Sequence, residues 1–322
     1  MKKKSFLVWF CLFLLLGFSA CFDNKIKNNS ENTLVVTPIS VTDKGDSFLI
    51  KHSLGESRVV KNPSRVVILD FGSLDTFDSL NLSDKVIGVP LKNLPPYLKQ
   101  YDNKSNIGGV QQVNLEAINA LKPDLIIISG RQTRFYDKLN QIAPTIYLGI
   151  NNSDFLFSFE NNVLSIAKLY NKESEAKEKI SQIKEEISEI KSKISKDKKA
   201  LIILTNSNKI SAFGSSSRFG LIHDILDIEP VDKSLKVGTH GKSINSEYIL
   251  EKNPDFIFVI DRNVIVGNQE KAKDILNNAL ILKTKAAQNN KIIYLDPQYW
   301  YLSGGGLESL EAMIKEVAKA LN

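Results

Sequence analysis

The chain has 322 residues, 43% of them hydrophobic and 24% charged, with a formal net charge of +6. That length suffices for two cores of ordinary domain size, and the apolar and charged fractions are those of soluble globular proteins. Three lysines and no acid lie in residues 1–20, so only about +3 remains beyond them, too little to argue for a nucleic-acid binder.

Lys2, Lys3 and Lys4 precede an apolar run, Phe6–Gly17, and Phe18-Ser19-Ala20 then leads into Cys21. The run is shorter than the roughly 20 residues that a membrane-spanning helix needs. A basic start, a short apolar stretch and small residues before a cysteine read as an export signal over 1–20. The small-small-Cys ending resembles the bacterial lipoprotein signal, which would make Cys21 the lipidated first residue of the mature chain. The other cysteine, Cys11, would leave with the signal. The mature chain would then hold no free thiol, which suits an oxidising compartment and excludes thiolate metal sites.

Residues 21–45 are rich in Asn, Ser, Thr and Lys without helical period and read as a flexible tether. Ser47–Val60 predicts two strands joined at Leu54-Gly55-Glu56. His52 alternates with apolar residues there and is expected to be exposed. Strand candidates follow at Val66–Leu69, Val86–Val89, Leu125–Ser129 and Thr145–Leu148, with helix-like segments between them. Such alternation predicts an α/β lobe over 46–171, with a largely parallel sheet flanked by helices.

Within Lys172–Ser195, Ala176, Ile180, Ile183, Ile187, Ile190 and Ile194 are spaced 4, 3, 4, 3 and 4. With no Gly or Pro to interrupt it, this is one amphipathic helix of roughly 36 Å at ~1.5 Å per residue. Its place in the middle of the chain fits a strut (172–197) joining two lobes. A second lobe follows over 198–322. Ala200–Thr205, Phe256–Ile260 and Ile292–Leu295 are its strands, and Gly306–Leu321 its closing helix.

The strut separates two copies of one pattern. Val113–Arg131 reads VNLEAINALKPDLIIISGR, and Ile244–Arg262 reads INSEYILEKNPDFIFVIDR. Asn114 aligns with Asn245, Glu116 with Glu247, Pro123-Asp124 with Pro254-Asp255, and Arg131 with Arg262. Each copy is a short helix, a Pro-Asp turn, then an apolar run of strand length. Each arginine thus falls just past the carboxyl end of a buried strand, where open α/β sheets place ligands. Two Rossmann-like lobes with a cleft between them are expected.

Only six of the 42 basic residues are arginines. Arg218 also follows a strand, so three of the six, Arg131, Arg218 and Arg262, are expected to face the cleft. Guanidinium suits bidentate contact with oxyanions and stacking on planar rings. Of the three histidines, His223 reads as a packing residue, whereas His240 sits in a glycine-flanked loop. Such a loop can present an imidazole to a ligand or simply face water. Tyr299-Trp300-Tyr301 cannot all face inward on one strand, so at least one should face a cavity or solvent. The glycines that follow, Gly304–Gly306, open a helix and could cradle a phosphate. No HExxH, GxSxG or paired-histidine signature of an enzyme is present.

The loop Lys236–Ser243 (KVGTHGKS), the stretches Lys199–Gly214 (KALIILTNSNKISAFG) and Asp296–Leu302 (DPQYWYL), the repeat and the strut together resemble the periplasmic siderophore-binding proteins of ABC importers. The similarity is strongest to the catecholate, enterobactin-type binding lipoproteins. The resemblance implies a monomeric carrier that is not an enzyme and has no intrinsic cofactor. It would be lipid-anchored in the periplasm and would deliver a ferric catecholate siderophore to a permease and its ATPase. By the same resemblance, His240 and Tyr301 complete iron(III) coordination when the siderophore supplies only four oxygens. Arg131, Arg218 and Arg262 contact the catecholate oxygens, and Glu116 and Glu247 dock on the permease. Two other readings remain open on the residues: a haem carrier using His and Tyr as axial ligands, and a secreted lipoprotein hydrolase using His240 as base.

Overall fold

The computed structural model describes residues 34–235 and 241–321. The export signal, Cys21, most of the tether and His240 lie outside the described residues.

The chain opens with an antiparallel three-stranded sheet: β1 (Ser40–Asp43), β2 (Ser47–His52) and β3 (Gly55–Val60). The first lobe follows as β4 (Val66–Ile68), α1 (Phe71–Ser79), β5 (Val86–Val89), β6 (Ser105–Asn106), α2 (Leu115–Leu121), β7 (Leu125–Ile128), α3 (Tyr136–Asn140), β8 (Thr145–Tyr147) and α4 (Phe155–Leu169). Its five strands are all parallel, in the order β6-β5-β4-β7-β8. The strut is α5 (Glu173–Lys193). The second lobe comprises β9 (Lys199–Asn206), β10 (Lys209–Phe213), α6 (Leu221–Asp224), β11 (Glu229–Pro230), β12 (Lys242–Ile244), α7 (Ser246–Lys252), β13 (Phe256–Asp261), α8 (Arg262–Val266), α9 (Ala272–Leu276), α10 (Lys285–Gln288), β14 (Ile292–Leu295) and α11 (Leu307–Leu321). Here β9, β13 and β14 are parallel, while the hairpin strand β10 and the edge strand β12 are antiparallel.

Two expectations fail near the amino terminus. The tether assigned to 21–45 contains β1, because Ser40–Asp43 borrows hydrogen bonds from β2 and needs no apolar face of its own. His52 is buried rather than exposed. It shares the inward face of β2 with Phe48 and Ile50, its Nε2 donates to the Thr145 carbonyl at 3.2 Å, and its ring meets Tyr136 edge-on. Burial holds its pKa below the usual histidine value.

The isoleucine stripe of the strut is buried as its spacing predicts, and each such side chain removed from water contributes roughly 1.5–3 kcal/mol. It packs on α4 and α11, with Lys184 paired to Glu160 at 2.6 Å. The main core is a single cluster rather than one per lobe. It runs from Phe71 and Leu74 through Ile180 and Ile187 to Leu310 and Ile202. A second cluster, around Ile203, Ile249 and Ile257, lines the other face of the second sheet.

Candidate functional site

The two copies of the repeat fold alike in detail. Asn114 Oδ1 caps α2 by accepting from Ala117 N, and Asn245 Oδ1 caps α7 by accepting from Tyr248 N, both at 3.0 Å. Both helices end on a left-handed residue, Lys122 (φ 48°) and Asn253 (φ 45°). The aspartate of each Pro-Asp turn then clips the start of the neighbouring strand. Asp124 accepts from Ser64 N and Arg65 N, and Asp255 from Lys199 N. These clips align β7 beside β4, and β13 beside β9, so the residues just past both strands arrive at the same rim.

Arg131 lies in the 3-10 turn after β7. That turn is locked by buried Gln132, whose Nε2 donates to Leu69 O at 3.1 Å and Val110 O at 2.6 Å. Arg262 begins α8, whose start is capped by Asp261 accepting from Asn263 N at 3.1 Å. Arg218 comes from the loop after β10, with its guanidinium carbon 5.2 Å from the Phe219 ring.

All three converge on Tyr301. Their guanidinium carbons lie 5.7 Å (Arg131), 4.4 Å (Arg218) and 5.7 Å (Arg262) from its ring centroid. Arg262 Nε donates to the Tyr301 hydroxyl at 2.8 Å. Arg131 and Arg218 both donate to the Tyr301 carbonyl, and Arg131 also to Leu302 O at 3.1 Å. Removal from water, then repulsion from Arg131, pushes the Arg218 pKa down to about 10. Uncompensated like charges of this kind attract an anion.

The aromatic triplet rides on a π-helical turn, Gln298–Ser303, which splits its side chains three ways. Trp300 is buried and donates from Nε1 to Glu316 Oε2 at 2.7 Å. Tyr299 packs on Tyr97, with centroids 4.7 Å apart. Only Tyr301 turns to the cleft. The helix start after it has no room for a phosphate: the Asp75 side chain already takes its amides, and a Cβ at Gly306 would overlap Asp75 Oδ2 and the Gly72 carbonyl, so Gly306 serves a close helix contact.

The cleft holds a cavity of about 240 Å³ with Arg131, Arg262, Tyr301 and Leu302 in its wall. Lys92, Asn93, Gly109, Val110, Gln111, Gln112, Ile265 and Val266 complete it, and the sequence marks none of these as a ligand contact. Lys92, Asn93 and residues 109–112 fall on loops of the first lobe, Ile265 and Val266 on α8 just past the second copy of the repeat, and only the fold brings them together. Asn93 reaches across and donates to Ile265 O at 2.5 Å. Two surface grooves are larger, 680 Å³ beside α7 and 560 Å³ between α5 and α11. The second is lined by Glu185, Glu186, Glu189, Glu308 and Glu311, which would repel an anion, and neither gathers arginines. Among the described residues no group of three or more His, Cys, Asp or Glu could hold a metal ion, and no helix is long and apolar enough to cross a membrane.

Glu116 and Glu247 sit away from the cleft, exposed in the first turns of α2 and α7. His223 is buried, its Nδ1 donating to Ile228 O at 2.8 Å, as expected of a packing residue. Gly241, next to His240 in sequence, has φ +70°, and a Cβ there would meet the Ala212 carbonyl at 2.7 Å, so position 241 needs glycine.

A family model described as periplasmic binding protein matches residues 66–299. The chain belongs to the periplasmic binding protein family. As such it is a solute-binding protein and not an enzyme, which removes the hydrolase reading. It is 40% identical to the petrobactin-binding protein YclQ of Bacillus subtilis over 324 residues, covering 99% of each chain. The crystal structure of YclQ superposes with a TM-score of 0.84 at 42% identity, covering 86% of this chain and 99% of that one. The ferric-anguibactin-binding protein FatB of Vibrio anguillarum is 30% identical, over 84% of this chain and 87% of FatB. The siderophore-binding protein BauB, solved with a complex of two acinetobactin molecules and ferric iron, gives a TM-score of 0.77 at 29% identity, covering 86% and 99%. These relatives bear out the two-lobed α/β fold read from the repeat.

Proposed function

We propose that this periplasmic binding protein captures a ferric catecholate siderophore in the interlobe cleft and delivers it to an ABC permease. The observation that carries this reading is the ring of three guanidiniums around Tyr301. Iron(III) is a hard cation that takes oxyanion donors, phenolate among them. A bis-catecholate brings four negative charges against three on iron, so the complex is a net anion, and a phenolate adds to that charge. Three arginines in a partly dry cleft offset the charge and orient planar rings. The names of YclQ, FatB and BauB support a siderophore as the ligand.

Tyr301, with His240 from the glycine-flanked loop, would fill the two positions that a tetradentate siderophore leaves open on iron. Glu116 and Glu247 would meet the permease, one from each lobe. Cys21 would carry the lipid that keeps a monomer near the membrane. In spectrophotometric titrations, Tyr301→Phe and His240→Ala should weaken tetradentate ferric complexes far more than hexadentate ones, which already satisfy iron. Equal losses for both ligand classes would sink the coordination reading.

A further inference from the structure

We propose that Asp75 is a positioning residue for Tyr301, its buried carboxylate fastening the start of α11, and with it the turn that carries Tyr301, to the first lobe. This rests on the reading of Tyr301 as an iron donor.

By chain order Tyr301 belongs to the second lobe, since it follows β14. Its backbone is nevertheless held from the first. Asp75, on α1, is completely buried and accepts from Glu308 N at 2.8 Å through Oδ1 and from Ser309 N at 2.7 Å through Oδ2. Those amides belong to the first turn of α11, where a helix has donors without internal partners and favours negative charge. Beside this clasp, α1 and the Ser303–Gly306 loop approach so closely that a Cβ on Gly72 would stand 3.0 Å from the Ser303 carbonyl. Tyr97, also from the first lobe, donates to Ser303 Oγ at 2.6 Å. Arg131 adds its bonds to the Tyr301 and Leu302 carbonyls.

Burial pushes the Asp75 carboxyl up to about 7, against hydrogen bonds from Ser309 and Glu308 that favour its ionised form, and each oxygen takes a backbone donor from a single short segment. The clasp lies only a few residues beyond Tyr301, so a shift in the start of α11 passes directly into the π-helical turn. Tyr301 is thus tied through Arg131 and the clasp to the first lobe, while Arg218 and Arg262 reach it from the second.

The test uses the full chain with Asp75→Asn, which keeps the side chain's shape but turns one acceptor into a donor facing an amide. Gly72→Ala is the second variant; it leaves Asp75 intact and pushes the Ser303 carbonyl by a few tenths of an ångström. Affinity for a tetradentate ferric bis-catecholate and a hexadentate ferric tris-catecholate is measured, together with the visible charge-transfer band. The tetradentate complex should weaken by about tenfold in either variant, with its band moving toward that of Tyr301→Phe, while the hexadentate complex changes by less than about threefold. A Tyr301-dependent band that both variants leave unchanged, or equal losses for the two ligands, would overturn the role of Asp75. A wild-type band identical to that of Tyr301→Phe would overturn the donor reading and this role with it.

Discussion

Replacing Arg218 with methionine should move folding and binding in different directions. A guanidinium whose pKa is pushed down to about 10 carries a cost on the order of 3 kcal/mol to stay charged at neutral pH. The substitution removes that cost, to which burial and the repulsion from Arg131 both contribute. It also removes the charged hydrogen bond to the Tyr301 carbonyl, worth roughly 1.5–3 kcal/mol, and the stacking on Tyr301 and Phe219, worth about 0.5–1 kcal/mol each. These largely offset one another, so urea denaturation of the free protein should find a stability within about 2 kcal/mol of the original. Binding has no such compensation. Fluorescence-quenching titration with a ferric bis-catecholate should show roughly a hundredfold loss, about 2.7 kcal/mol. Arg218→Lys should restore little, because an ammonium neither stacks nor bridges two oxygens as guanidinium does. A free protein destabilised by more than about 2 kcal/mol with affinity intact would refute the reasoning, since Arg218 would then be a structural strut and not a site held ready for an anion.

Two further outcomes follow from the same geometry. Glu116→Lys combined with Glu247→Lys should leave ferric-ligand affinity unchanged but abolish uptake by cells, because both residues are exposed and neither lines the cleft cavity; normal uptake would remove their docking role. The single core running through α5 resists wide opening, so small-angle scattering should show the radius of gyration changing by less than about 1 Å on ligand binding, and a larger change would contradict the strut.

The repeat was the most legible part of the sequence, because its signals are local. Asn before an apolar period makes a cap, Pro-Asp makes a turn, and a run of Ile and Phe makes a buried strand, so Arg131 and Arg262 could be placed at strand ends without coordinates. The isoleucine stripe of α5 was legible for the same reason. Less visible was anything set by pairing at a distance. Ser40–Asp43 is polar and becomes a strand only because β2 offers it an edge. His52 is polar, and only its alternation with Phe48 and Ile50 places it on their buried face. Asp75 gives no signal of its own. It is one aspartate within a helix, and its partners lie more than two hundred residues away. Gly306 drew attention as a possible anion cradle, while its actual constraint, the approach of Gly72, belongs to the tertiary fold.

The most direct test of the central claim is a titration of the full chain with ferric bis-catecholate, ferric tris-catecholate and haemin, repeated with Arg131, Arg218 and Arg262 each neutralised. The expected result is saturable binding of the anionic ferric catecholates with a broad visible charge-transfer band, weakened by each arginine substitution, and no Soret shift with haemin. A haem complex of comparable affinity, or catecholate binding indifferent to all three arginines, would contradict it.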